Sequence, residues 1–258
     1  MTLYDWPRAA TFGRVIPKNK IYEHAGANSA LKDLFVRDVD QIFWSHKLAP
    51  ETVNLAATKQ VAEIQVFRVT TRTAALDREV LRAIDKAIAF PLIFEVVHAK
   101  RIKLMATYKR QSLNSRGEAD GARWVVGDYF EGDWLPEDAP RAPLPVALDM
   151  GALYERLLEP LVAGQTAKLA TGMAEAPQAP FITAEPEEIV SLGDRIARAE
   201  AIQRQAREVE RIKARLSREK QFNKRIAINA ELRAAKQELE RLTSSGHAGY
   251  PDSTMTDV

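Results

Sequence analysis

From residue 187 to residue 243 the chain contains no proline, and its one glycine there is Gly193. Within this stretch Ile189, Leu192, Ile196, Ala199, Ile202, Ala206, Val209, Ile212 and Leu216 advance in steps of three and four. Leu232, Ala235, Leu239 and Leu242 resume the pattern. Such spacing predicts a heptad-like seam and therefore a long C-terminal coiled-coil helix over 187–243. Residues 219–229 (EKQFNKRIAIN) break the phase, which fits either a stutter or a reversal into a hairpin. With no Gly or Pro at the break, one continuous helix is the expectation, about 80 Å long at about 1.5 Å per residue. A polar helix of that length must bury its stripe against a second copy, a partner or itself.

The chain ahead of it has a different texture. Residues 166–186 are rich in Ala, Pro and Thr and read as a linker, and the polar stretch 244–258 reads as a disordered tail. Residues 1–165 mix two periods. SALKDLFVRDV (29–39) and LDREVLRAIDKAIAF (76–90) carry apolar residues at helical spacing, the second stopped by Pro91, and GALYERLLEPLVA (151–163) is a third helix. DQIFWSHKLA, VAEIQVFRVTT, PLIFEVVH, RIKLMATYKR and ARWVVGDYF read as strands, with Ala99-Lys100 as a short link between two of them. The fold class expected is α+β: a mixed-sheet N-terminal domain followed by the C-terminal coiled-coil helix.

Composition removes several chemistries. There is no cysteine and there are only four histidines, so thiolate nucleophiles, iron–sulfur clusters and cysteine zinc sites are excluded, and a dense zinc site is not expected. The most apolar run, IAFPLIFEVV (88–97), is shorter than a membrane span of about 20 residues and contains Pro91 and Glu95. No secretory leader or lipidation pattern is evident, so a cytoplasmic protein with no membrane partner is expected.

Two groups of basic residues stand out. Arg14, Lys18 and Lys20 lie in FGRVIPKNKIYEH (12–24), which reads as an extended loop able to meet phosphates or an acidic partner, or as a solvated loop. From Arg204 to Arg225 nine basic residues, among them Arg211, Arg215, Arg218, Lys220, Lys224 and Arg225, face three acids; the net +6 leaves −4 on the rest of the chain. That asymmetry suits a duplex backbone, an acidic protein partner, or the solvated face of a coiled coil. The acidic run DYFEGDWLPEDAP (128–140) lacks metal-loop spacing and reads as a surface loop pinned by Trp134 and Leu135.

A last pattern concerns catalysis. Glu51 follows Pro50, and Glu63 begins Glu-Ile-Gln65 twelve positions later. Nucleases of the PD-(D/E)XK group place one acid on a strand and a second acid, two residues before a Lys, on the next strand. The carboxylates hold Mg²⁺ and the Lys assists the attacking water. Gln65 stands where that Lys belongs, and an amide carries no positive charge. Lys59 or Lys103 would have to supply that charge from elsewhere in the chain.

Taken together, FGRVIPKNKIYEH, APETVNL, EIQVF, VLRAIDKAIAFPLIFEVV, LPVALDMGALYERLL and QFNKRIAINAELR resemble the bacterial family known as domain of unknown function 4391, over about residues 12–242. The resemblance implies a small protein encoded beside helicases and DNA methyltransferases of restriction-modification or phage-defence loci. It assigns no catalytic residue. The expected function is then a non-enzymatic accessory subunit without cofactor. Its coiled coil docks on a helicase or methyltransferase subunit or on a second copy, and DNA is a further expected contact. The alternative is a divergent Mg²⁺-dependent nuclease with a restriction-endonuclease-like core, using Glu51, Glu63 and Gln65.

Overall fold

The computed structural model describes residues 3–113, 119–171 and 192–244. The chain divides into two compact units, Met1–Gln165 and Thr166–Val258, taken separately below.

The first unit is built on a mixed sheet. Strand β1 (Leu3–Tyr4) and a 3₁₀ turn (Arg8–Ala10) lead into β2 (Thr11–Val15), α1 (Lys18–Ala25) and α2 (Ser29–Asp38). Strand β3 (Val39–Leu48), the short helix α3 (Pro50–Val53), β4 (Ile64–Thr71) and α4 (Arg78–Ala87) follow. Then come β5 (Leu92–His98), β6 (Arg101–Leu113), β7 (Ala119–Glu131), β8 (Leu135–Pro136), β9 (Arg141–Ala142) and α5 (Met150–Thr171). The sheet order is β2-β3-β4-β5-β6-β7, with β8 added beside β6 and a separate β1-β9 pair. Each neighbouring pair on the main path is antiparallel except β4 and β5, which run parallel with α4 as the crossover. Among the described residues no helix is long and apolar enough to cross a membrane.

Local chemistry explains most boundaries. Asp77 caps α4 by accepting from the Glu79 N–H at 3.0 Å, and the helix buries Val80, Leu81 and Ile84 completely. Each such side chain stabilises the fold by about 1.5–3 kcal/mol. They meet Phe67, Val69, Phe94, Val96, Met105 and Tyr129 on one face of the sheet, joined there by Phe35 of α2 and Ile21 of α1. The β5–β6 link is a two-residue hairpin in which Ala99 and Lys100 both take positive φ, 46° and 60°, as a twisted hairpin demands.

Two expectations need correction. Residues 18–25 are helical rather than an extended loop: Pro17 starts α1 and Gly26, at φ 62°, ends it in the left-handed conformation. Ile21 is the one buried anchor of that helix, so a periodic signal was scarcely present.

The C-terminal segment is two helices, α6 (Leu192–Arg218) and α7 (Phe222–Ser244), not one long helix. The reversal needs neither Gly nor Pro, because the Glu219 carboxylate accepts from the Gln221 N–H at 2.8 Å and holds the short link. The apolar seam therefore closes on itself: Ile202, Val209 and Ile212 pack against Ile228, Ala235 and Leu239. The helices run antiparallel, since Arg198 donates to the Leu242 and Thr243 carbonyls and Gln205 donates to the Ala235 carbonyl at 3.0 Å. Arg198 thereby also satisfies carbonyls left open at the end of α7. The linker assigned to 166–186 lies from residue 172 onward outside the described residues, as does the tail from residue 245. Helix α5 itself continues to Thr171.

Candidate active site between β3 and β4

The antiparallel register of β3 and β4 pairs Lys47 with Gln65 and Leu48 with Ile64. Past Leu48 the chain turns immediately into α3. The Thr52 hydroxyl donates to the Lys47 carbonyl at 3.0 Å and accepts from the Ala49 N–H at 2.8 Å, so this short helix is tied back onto the end of β3. Asn54, at φ 55°, ends it. Glu51 is thus held one turn from Lys47, and Glu63 arrives at the start of β4 beside both.

The result is a four-residue cluster. The Lys47 ammonium lies 3.1 Å from Glu63 Oε2 and 3.5 Å from Glu51 Oε1. Gln65 Nε2 donates to Glu63 Oε1. The Gln65 Oε1 atom is buried without a hydrogen-bond partner. Exposure is graded across the site: the Glu63 side chain is 12% exposed and that of Glu51 64%. The hydrogen bond to Glu63, followed by that residue's charge, pushes the Lys47 ammonium above its ordinary pKa and keeps it cationic.

Glu51 and Glu63 therefore meet on Lys47, and Gln65 reaches Glu63. The cation beside them is Lys47, which the sequence reading did not single out. Its trace in the sequence was the four-residue interval to Glu51. Lys103, one substitute considered, instead holds Glu131 at 2.6 Å, and Lys59 is exposed.

The other candidates are dispersed. Lys18 donates to the Val39 carbonyl at 2.5 Å and the Phe35 carbonyl at 3.4 Å, stitching α1 to the end of α2. Lys20 pairs with Glu23 at 3.3 Å on an exposed face, and Arg14 lies over the Phe12 ring at 5.0 Å. In the acidic run, Glu131 is bound by Lys103 and Arg78, and Glu137 by Arg68 at 3.0 Å. No group of three or more His, Asp or Glu side chains converges on a metal position among the described residues. On α6, Arg211 is paired with Glu208 at 2.7 Å and Arg215 with Glu231 of α7.

Sequence reading also passed over two buried polar clusters. Asp85 accepts from the Tyr129 hydroxyl, while the Lys109 ammonium donates to the Asp85 carbonyl at 2.5 Å and to the Ile88 carbonyl. On β5, Glu95 accepts from Trp6 Nε1 and from Arg141, both at 2.8 Å, which fastens β1 and β9 over the sheet.

The fold and this cluster define an α+β protein whose sheet brings two carboxylates and one lysine together at the adjoining ends of two antiparallel strands. The family model described as domain of unknown function (DUF4391) matches residues 4–239, and the chain belongs to that family. No curated protein and no solved structure matches it.

Proposed function

We propose that the first unit is a divergent metal-dependent nuclease with a restriction-endonuclease-like core. One observation carries the reading: a single ammonium, that of Lys47, sits within 3.5 Å of both Glu51 and Glu63, which flank the adjoining ends of β3 and β4. The pair keeps the sequence spacing of the PD-(D/E)XK acids but departs from it in placement, with Glu51 on α3 and Glu63 just ahead of β4. The missing positive charge comes from the partner strand, because Lys47 is the register partner of Gln65.

The donor set suits a hard divalent cation. Glu51 and Glu63 offer carboxylate oxygens that already share one cationic neighbour, and the unpartnered Gln65 Oε1 is a further oxygen close by. Magnesium bound by Glu51 and Glu63 would supply Lewis acidity at a phosphate. The residues' own parts are then distinct. Partly buried Glu63 is held in place by Gln65 and Lys47, and exposed Glu51 is tied to Lys47 alone. Lys47, kept protonated by Glu63, offers charge to a phosphoryl oxygen.

The test is cleavage of linear and nicked DNA by the purified chain in Mg²⁺ and in Mn²⁺, with Glu63→Gln and Glu51→Gln as controls. Cleavage that Glu63→Gln abolishes is expected. No cleavage by the unaltered chain, or cleavage indifferent to both substitutions, contradicts the proposal.

A second reading rests on a different aspect of the same cluster: Lys47 already gives each acid an ion-pair partner without a metal. On that reading the chain is a non-enzymatic accessory subunit of a restriction or phage-defence assembly. Its helical pair acts as a short antiparallel coiled coil that docks on a helicase or methyltransferase subunit. Recovery of such a subunit with the tagged chain after nuclease treatment, together with unaltered function of Glu63→Gln in its host, favours this reading over the first.

A further inference from the structure

The cations of the helical pair fall into two groups. Along its shank they are engaged: Arg211 with Glu208 at 2.7 Å, Lys213 with Glu210 at 2.6 Å, Arg215 with Glu231, and Arg241 with Glu238 at 2.7 Å. At the tip, Arg218, Lys220, Lys224 and Arg225 have no carboxylate within ion-pair distance among the described residues. The one acid there, Glu219, is turned onto the Gln221 N–H. Residues 218–226 thus carry a net +3.

The same tip exposes its apolar side chains. Phe222 is 75% exposed and Ile226, one turn further along α7, is 55% exposed. Neither belongs to the seam, which is already filled by Ile202, Val209, Ile212, Ile228, Ala235 and Leu239. An exposed aromatic ring set among four cations that form no ion pair, Lys224 only attracting Glu219 from a distance, serves no purpose in holding the pair together.

We infer that the tip of the α6–α7 pair binds nucleic acid with unpaired bases, Phe222 stacking on a base while Arg218, Lys220, Lys224 and Arg225 hold the flanking phosphates. Basic side chains alone would suit a duplex or an acidic protein surface. The ring separates these cases, because the base faces of a duplex are stacked away, whereas a single strand, gap or frayed end offers one π-face with every phosphate. Ile226 extends the apolar contact along the same helix face. This surface goes beyond the nuclease reading and does not depend on it.

The test uses the full chain in EDTA, where cleavage cannot contribute, and fluorescence anisotropy with a labelled strand of about 20 nucleotides, single or annealed. The single strand should bind more tightly. Phe222→Ala should weaken its binding about fivefold or more, while duplex binding changes less than about twofold. The triple change Arg218→Ala, Lys224→Ala and Arg225→Ala should weaken both and flatten the slope of log K against log salt by about 2 for the single strand. All four positions are exposed, so helix content measured by circular dichroism should be retained. Single-strand binding indifferent to Phe222→Ala overturns the inference. So does displacement of the strand by polyglutamate at equal charge concentration, which would mark the tip as a surface for acidic protein. Loss of metal-dependent cleavage in Glu63→Gln with this binding intact separates the fate of the nuclease reading from that of the tip.

Discussion

Lys109→Met probes the buried polar centre of the sheet unit. Lys109 and Asp85 are both almost fully buried, and their charged atoms lie 3.7 Å apart. Burial pushes the Asp85 carboxyl up to about 6, against the attraction of Lys109 and the hydrogen bond from Tyr129; Arg82 adds a smaller attraction. Burial also lowers the Lys109 pKa, an effect that Asp85 opposes. A carboxyl whose folded pKa lies above its unfolded value of about 3.9 binds more protons in the folded state between the two. This group's contribution is therefore most favourable below about pH 4 and is lost as pH rises through its folded pKa, by about 3 kcal/mol. Removing Lys109 takes away the main opposing cation, raises the folded pKa further and widens that window. It also strips the donor from the Asp85 and Ile88 carbonyls at the end of α4, about 1–3 kcal/mol at any pH. The expected loss at pH 7.5 is about 3–5 kcal/mol. At pH 5, where Asp85 in the variant is protonated, only the carbonyl part should remain. Urea unfolding followed by tryptophan fluorescence measures this cleanly, because Trp6, Trp44, Trp124 and Trp134 all lie in the first unit. The double variant Asp85→Asn with Lys109→Met should be more stable than Lys109→Met at pH 7.5. An equal loss at both pH values, or a loss below about 1 kcal/mol, refutes the reasoning.

Glu95→Ala should destabilise the first unit by about 3 kcal/mol, since it leaves the Trp6 indole without its acceptor and Arg141 without its carboxylate, though Arg141 keeps the Tyr4 carbonyl; urea midpoints with unchanged slope would show it. Ile202→Ala, at a fully buried seam position, should cost about 2–5 kcal/mol and accelerate hydrogen exchange across α6 and α7, whereas Phe222→Ala should lie within about 0.5 kcal/mol of the unaltered chain. Gly26→Ala should cost about 1 kcal/mol, because the residue closing α1 has φ 62° and open space around it, so the loss is conformational and not steric.

Much of the sheet unit was legible because its signals are local. The amphipathic run of α4, the strand composition of β4 to β6 and the Ala99-Lys100 link each lie within a dozen residues and agree with one another. Helix α1 was missed because Pro17 and a lone buried Ile21 give an eight-residue helix no stripe to read. The C-terminal reversal was misjudged for a related reason. A turn made by the Glu219 side chain leaves no Gly or Pro behind, and the heptad seam is the same whether its partner is another chain or its own second half. At the candidate site the two acids and Gln65 were visible as spacing. Lys47 was not, because its role depends on strand register, and register is a pairing between distant segments that no local pattern encodes. The Asp85–Lys109 and Glu95–Arg141 clusters were hidden likewise, as their partners are far apart in the chain.

On the nuclease reading, Lys47 supplies from β3 the charge that Gln65 cannot supply from β4. Single-turnover DNA cleavage in Mg²⁺ by Lys47→Gln and by the exchange variant Lys47→Gln with Gln65→Lys tests it directly. The two residues are register partners, so the exchange moves the cation across the strand pair without removing it from the cluster. Lys47→Gln is expected to slow cleavage about 100-fold or more, and the exchange to restore at least about tenfold of that loss. Cleavage by Lys47→Gln at the rate of the unaltered chain would contradict it.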